Sequence, residues 1–204
     1  MRKIIVSVLL CLPMVALAKT NYHTQVNHFA LKKGQEWSWK SVAKTPNIKW
    51  QRKSPIKHSD LNYYYAYGDM GEWGDLTVSG SKNKPLIVEI TSAQSYARSE
   101  NGADVYGLYQ LFKKSELTKL QSNCSVDENT DRMSVGEYQH FYKWQRQGYQ
   151  PLYLGVRRFQ AGSFSGGISM SYIIVKDFDL FNNQSVMGLE RYDIDGNDIV
   201  CHII

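Results

Sequence analysis

Few side chains in this chain stand at spacings that do chemistry. Near its end Asp193, Asp195 and Asp198 surround Gly196, acidic groups about a glycine as in a calcium loop. An EF-hand needs D-x-D-x-D-G and a glutamate near its twelfth position, whereas this chain runs into Cys201-His202-Ile203-Ile204, so a tight Asp-Gly hairpin turn accounts for the aspartates. Gly162-Ser163-Phe164-Ser165-Gly166 has the outline of a nucleophile elbow, but Phe164 holds the central position that the nucleophile needs and the flanks read strand-turn-strand. Glu137 and His140 stand three apart, which on a helix nominates an acid/base pair, although such pairs are common on ordinary helix surfaces. Glu89 with Glu100 or Asp104 would make a carboxylate pair of the kind a glycosidase uses, yet nothing in the spacing brings them together. His23, His28, His58 and His202 are scattered without ligand spacing, and no serine, cysteine or lysine has an identifiable activating partner. No metal, cofactor or catalytic set is expected.

What the sequence does offer is area for contact. Trp37, Trp39 and Trp50 interleave with Lys32, Lys33, Lys40, Lys44, Lys49, Arg52, Lys53 and Lys57. That pattern fits a solvated basic arm, or a basic surface with apolar anchors for an acidic partner. Trp73, His140 and Trp144 complete the candidate partner-binding residues, since tryptophan and tyrosine give rigid area with a polar tip.

Cysteine use and the N-terminus set the compartment. Met1-Arg2-Lys3 is basic, Ile4 to Val15 apolar, and Ala16-Leu17-Ala18 has the small-x-small form that a signal peptidase cuts. Residues 1–18 are therefore expected to be a cleaved signal peptide, too short to anchor in a bilayer, leaving a mature periplasmic or secreted chain from Lys19. Cys124 and Cys201 remain, and in an oxidising compartment two remaining thiols pair. The formal charge of +5 falls to +3 when Arg2 and Lys3 leave, which is too little to argue for nucleic acid.

The elements that must position these residues are mostly strands. Tyr63 to Ile90 reads as a three-stranded antiparallel meander, aromatic and β-branched runs parted by Gly68-Asp69-Met70-Gly71 and by Gly80 to Lys84. Glu36 to Lys40 alternates as a short strand, Val105 to Phe112 is expected as a strand because Gly107 is poor helix material, and Ser115 to Gln121 as a short helix. Asn123 to Arg132 is expected as a loop carrying Cys124. Ser134 with Glu137 has the capping-box spacing, and Gly148 and Pro151 follow as stop signals, so residues 135–147 are expected as the principal helix. Its apolar face would be Val135, Tyr138, Phe141 and Tyr142, with Glu137, His140 and Trp144 outward. Leu152 to Val156 and Ile168 to Val175 form a hairpin about Ala161 to Gly167, and Tyr192 to Ile204 a second hairpin.

The expected fold class is thus α+β, mainly antiparallel sheet with one principal helix (135–147) packed on it. Residues 19–59 form a basic, tryptophan-containing segment and 60–204 a single domain. The leading functional expectation is an exported, non-catalytic binding protein that associates with and neutralises another protein, of inhibitor or immunity type. One alternative is an envelope hydrolase acting on peptidoglycan or glycan, with carboxylates such as Glu72, Asp75 or Glu137 in a Tyr/Trp-lined groove. The other is a structural or assembly component of the envelope that takes up another chain at a sheet edge.

Overall fold

In a computed structural model, residues 22–59, 63–92, 103–124, 135–160, 168–182 and 201–203 are described. The expected signal peptide, the Gly162–Gly166 segment and the aspartate turn at 193–198 lie outside them. The chain opens with two short helices, α1 (Tyr22–Asn27) and α2 (Trp39–Val42). The strands β1 (Lys49–Lys57), β2 (Tyr64–Asp69), β3 (Gly74–Gly80) and β4 (Pro85–Ser92) follow. Next come α3 (Ala103–Leu111), β5 (Leu117–Leu120) and β6 (Ser122–Cys124), then β7 (Val135–Trp144), β8 (Leu152–Gln160), β9 (Ile168–Val175) and β10 (Cys201–Ile203). Eight strands form one sheet in the order β1-β2-β3-β4-β9-β8-β7-β5, antiparallel throughout, and β6 pairs with β10 in a separate ribbon.

The meander at β2-β3-β4 and the β8-β9 hairpin follow the alternation in the sequence. Five expectations differ. Residues 135–144 are a strand and not a helix: Phe141 faces one side of the sheet while Tyr142 and Trp144 face the other, and a register shift between Tyr138 and His140 breaks the alternation that would have announced it. No principal helix crosses the sheet among the described residues. Residues 103–111 are helical, because the missing side chain at Gly107 serves close packing against Tyr172. Glu36 to Lys40 holds no strand. Instead Ser38 caps α2, its hydroxyl accepting from the Ser41 amide while the Ser41 hydroxyl accepts from the Ser38 amide. After a single 3-10 turn at Lys114–Glu116, residues 117–120 run as edge strand β5 in place of a helix, and Cys124 lies on β6 rather than in a loop. Of the expected C-terminal hairpin only 201–203 is described, and it pairs with β6.

One sheet face carries the main core. Leu76, Val78, Val88, Ile90, Leu152, Leu154, Val156, Tyr172 and Ile174 are buried under α1, α2 and α3, joined by Val26, Phe29, Trp37 and Val42 from the N-terminal segment. Burying a large aliphatic or aromatic side chain stabilises the fold by roughly 1.5–3 kcal/mol, so this face dominates the energetics. The second face is divided. The 3-10 segment Phe178–Asn182 covers its β9-β8-β7 half, packing Phe178 and Phe181 edge-on to Phe141 at 5.0 and 4.9 Å between ring centres. Among the described residues nothing of this kind covers the half built by β2, β3 and β4. No helix among them is long and apolar enough to cross a membrane.

Candidate functional site

Strand geometry builds the open half-face. Side chains alternate across a strand, so Tyr63, Tyr65 and Tyr67, two apart, share one side of the sheet. Their rings form a ladder along β2, with centres 6.1 Å apart for Tyr63 and Tyr65 and 6.0 Å for Tyr65 and Tyr67, the latter pair nearly parallel. His58 extends it, stacked on Tyr63 at 5.0 Å, and the His58 amide donates to the Tyr63 carbonyl where the chain turns from β1 into β2. All four side chains are half-buried, their edges held by neighbours and part of their area left to solvent.

The floor beside the ladder is polar. Antiparallel register sets Tyr65 opposite Ser79 and Tyr67 opposite Thr77, then Thr77 opposite Glu89 on the next strand. Asp75 stands one pleat along, opposite Thr91, which puts Asp75 and Glu89 at diagonal cross-strand positions about 7–8 Å apart. Together with Gln51 from β1 these groups line a groove of about 540 Å³. Two carboxylates and four rings lie in it, and no lysine or arginine is among its lining residues. Arg52, in register opposite Tyr67, is exposed and is not one of the lining residues. Burial pushes the Tyr63 phenol above its usual range, and the neighbouring Tyr65 and Glu89 add to the effect by disfavouring a further negative charge.

A smaller hollow of about 360 Å³ has Leu31, Trp37, Pro85, Leu86 and Leu180 as its apolar lining. Glu36 stands at it, bound by both Lys176 and Lys84. The hydrogen bond from Lys176 is the main reason that the Glu36 carboxyl is held below the usual carboxylate range, with Lys84 reinforcing it against partial desolvation. This clasp ties the Leu31–Trp37 stretch to the β3-β4 turn and to the end of β9 and has the character of a structural staple.

The residues singled out in the sequence do not gather at the tyrosine ladder. Trp37, Trp73 and Trp144 are buried, at 5, 3 and 2% exposure. The Trp37 indole donates to the Phe29 carbonyl and that of Trp144 to Glu116, which also pairs with Arg146. Trp39 is half-buried, its indole donating to the Ser81 carbonyl, and half-buried Trp50 packs on the core face opposite Gly68. His140 lies on that same face, in register with Val156 and edge-on to Tyr142. Accessible area among the six therefore belongs to Trp39, Trp50 and His140. The eight basic residues that precede the meander are all exposed. The side chains of Glu72 and Glu137 lie outside the described residues, as do Glu100 and, at side-chain level, Asp104. Of the carboxylates weighed from the sequence, Asp75 and Glu89 meet at one groove. The ladder itself was written in the sequence as tyrosines at every second position of a strand, a signal that fixes a face as well as a strand.

Among the described residues no group of three or more acidic, histidine or cysteine side chains is placed to hold a metal. Backbone register sets Cys124 directly opposite Cys201. Opposed residues of an antiparallel pair have Cα atoms about 4.5–5.5 Å apart, within the roughly 4.4–6.8 Å that a disulfide spans. No protein-family model, curated protein or solved structure matches the chain.

Proposed function

We propose that this chain is an exported, non-catalytic binding protein whose mature form associates with another protein and neutralises it, as an inhibitor or immunity factor does. The observation that carries the reading is the half-buried tyrosine ladder, with Tyr65 and Tyr67 stacked and Tyr63 tilted against Tyr65, on a half-face that leaves part of each ring accessible among the described residues. Rings fixed by a sheet lose little entropy on binding, and tyrosine offers apolar area with a hydroxyl at its edge, which is the composition that protein interfaces favour. A Cys124–Cys201 bridge, for which the strand register sets the two residues opposite each other, would suit work outside the reducing cytoplasm.

One observation favours a second reading. Asp75 and Glu89 line the same ring-bearing groove from diagonal positions on adjacent strands, and a glycosidase needs a pair of carboxylates in one groove, so an envelope hydrolase acting on glycan is the alternative. Assembly through a sheet edge draws less support. Edge strand β1 carries Lys49, Arg52, Lys53 and Pro55 and two register irregularities, features that blunt strand addition.

The test pairs two assays on the mature, oxidised protein. Stoichiometric capture of one protein from producing or competing cells, abolished by Tyr65→Ala with Tyr67→Ala, supports the binder. Release of soluble muropeptides from purified peptidoglycan, abolished by Glu89→Gln, would replace it with the hydrolase.

A further inference from the structure

We infer that the tyrosine-ladder groove receives an arginine side chain of the protein partner. The inference rests on the binding reading above and names the chemistry of what is bound. Three features of the groove converge on a planar cation. The rings of Tyr65 and Tyr67 lie nearly parallel with centres 6.0 Å apart, and their half-buried area offers π surface at which a guanidinium is attracted by the ring quadrupole. Asp75 is exposed and Glu89 half-buried at diagonal positions on adjacent strands, so that one carboxylate can accept two parallel N–H bonds while the other adds to the negative field that draws a cation in. Ser79 and Thr77, on the strand between the ladder and Glu89, line the groove with hydroxyls that can accept the remaining donors.

Charge singles the groove out on this molecule. The formal charge of +5 becomes +3 without Arg2 and Lys3, and the basic residues of the N-terminal segment are exposed, yet the groove is lined by two carboxylates and no lysine or arginine. A mildly basic protein with an acidic, ring-lined hollow on its surface favours a cationic group at that hollow, which gives orientation and selectivity. A sugar would use the same rings but has no need of two carboxylates in the ionised state. An acidic peptide would meet like charge.

The experiment is a titration followed by NMR of the full mature chain with ring-labelled tyrosine. The probes are the blocked tripeptide acetyl-glycyl-arginyl-glycine amide, its glutamyl counterpart, and a tetramer of N-acetylglucosamine. The arginyl peptide is expected to shift the Tyr63, Tyr65 and Tyr67 rings saturably and the glutamyl peptide to leave them in place. Glu89→Gln should weaken arginyl binding about tenfold, as the loss of a charge-assisted bidentate contact does. Tyr65→Phe, which keeps the ring face, should retain binding, and Tyr65→Leu, which keeps only bulk, should lower it several-fold, roughly the weight of one cation–π contact. Unchanged far-UV circular dichroism and melting temperature qualify each variant as folded. No saturable shift with the arginyl peptide, equal response to the glutamyl peptide, or undiminished affinity in Glu89→Gln would each overturn the inference. If partner capture still depends on Tyr65 and Tyr67 in that event, the binder stands and only the cation assignment falls. If the sugar tetramer alone shifts the rings, both fall in favour of the glycan reading.

Discussion

Gly107→Ala should destabilise the protein, and should stop doing so when Tyr172 is changed to phenylalanine. Gly107 sits within α3, where glycine in place of alanine costs about 1 kcal/mol of helix propensity, so in open space the replacement would stabilise. The space is not open. A Cβ at Gly107 would run into the hydroxyl oxygen of Tyr172 far inside van der Waals contact, and Trp73 lies behind it at 3.4 Å from the same point. Tyr172 is fully buried in the middle of β9, with Ile90 and Val156 opposite it on the two neighbouring strands, so it has little room to yield. Overpacking of this kind costs about 1–3 kcal/mol, which outweighs the propensity gain and leaves a net loss of about 1 kcal/mol. Tyr172→Phe removes the oxygen that the new methyl meets, so in that background the same replacement should be neutral or stabilising by up to about 1 kcal/mol. Urea unfolding of the four proteins of this cycle, with m-values checked for constancy, reads the coupling directly. An alanine at 107 that costs the same in both backgrounds, or that stabilises the wild type, would refute the packing of α3 on β9.

Three further outcomes follow from the fold. Phe141→Ala should cost about 3–5 kcal/mol by urea unfolding, because the ring is 1% exposed and meets Phe178 and Phe181 edge-on; a loss below 1 kcal/mol would mean that residues 135–144 do not run as a strand with Phe141 inward. Glu36 has a lowered carboxyl pKa in the folded state, so its contribution to stability is present above the unfolded carboxylate range and is lost as pH falls through the lower folded value. Glu36→Gln should therefore flatten that part of the acid limb of a stability-versus-pH curve while costing less than about 1 kcal/mol at neutral pH, because the pair is about half exposed; an unchanged acid limb would contradict the clasp. The oxidised mature chain should contain no thiol reactive to Ellman's reagent when unfolded, and reduction or Cys201→Ser should lower stability by roughly 4 kcal/mol, the loop-closure value for so long a loop; two free thiols would remove the bridge from the account.

The parts of the fold that could be read from the sequence are those in which local pattern and tertiary environment agree. β2, β3 and β4 are parted by turns that contain glycine, and each is paired on both sides, with one register irregularity in the β3-β4 pairing at its Ser79/Gly80 end, so the period of two holds over most of their length. β7 was obscured by coincidence and by a bulge. Ser134 and Glu137 stand at capping-box spacing, and Val135, Tyr138, Phe141 and Tyr142 fit a helical stripe, while the register shift between Tyr138 and His140 confines the regular alternation of His140, Tyr142 and Trp144 to the second half of the strand. α3 failed for the opposite reason: Gly107 argued against helix on propensity, but tertiary packing against Tyr172 requires it. The tryptophans drew attention as anchors by residue type alone. Burial of Trp37, Trp73 and Trp144 is decided by which elements fold over them, a matter of topology that spacing does not carry. For the site, the tyrosine ladder lay in plain view at 63, 65 and 67, whereas the approach of Glu89 and Asp75 depends on strand register between β2, β3 and β4.

Hydroxyl-radical footprinting of the mature, oxidised chain, free and bound to the protein it captures, tests most directly whether the ladder is where this molecule meets its partner. The account predicts that oxidation of Tyr63, Tyr65 and Tyr67 falls several-fold on binding, in proportion to the area they lose to the interface. Equal oxidation of the three rings in the free and bound states would contradict it.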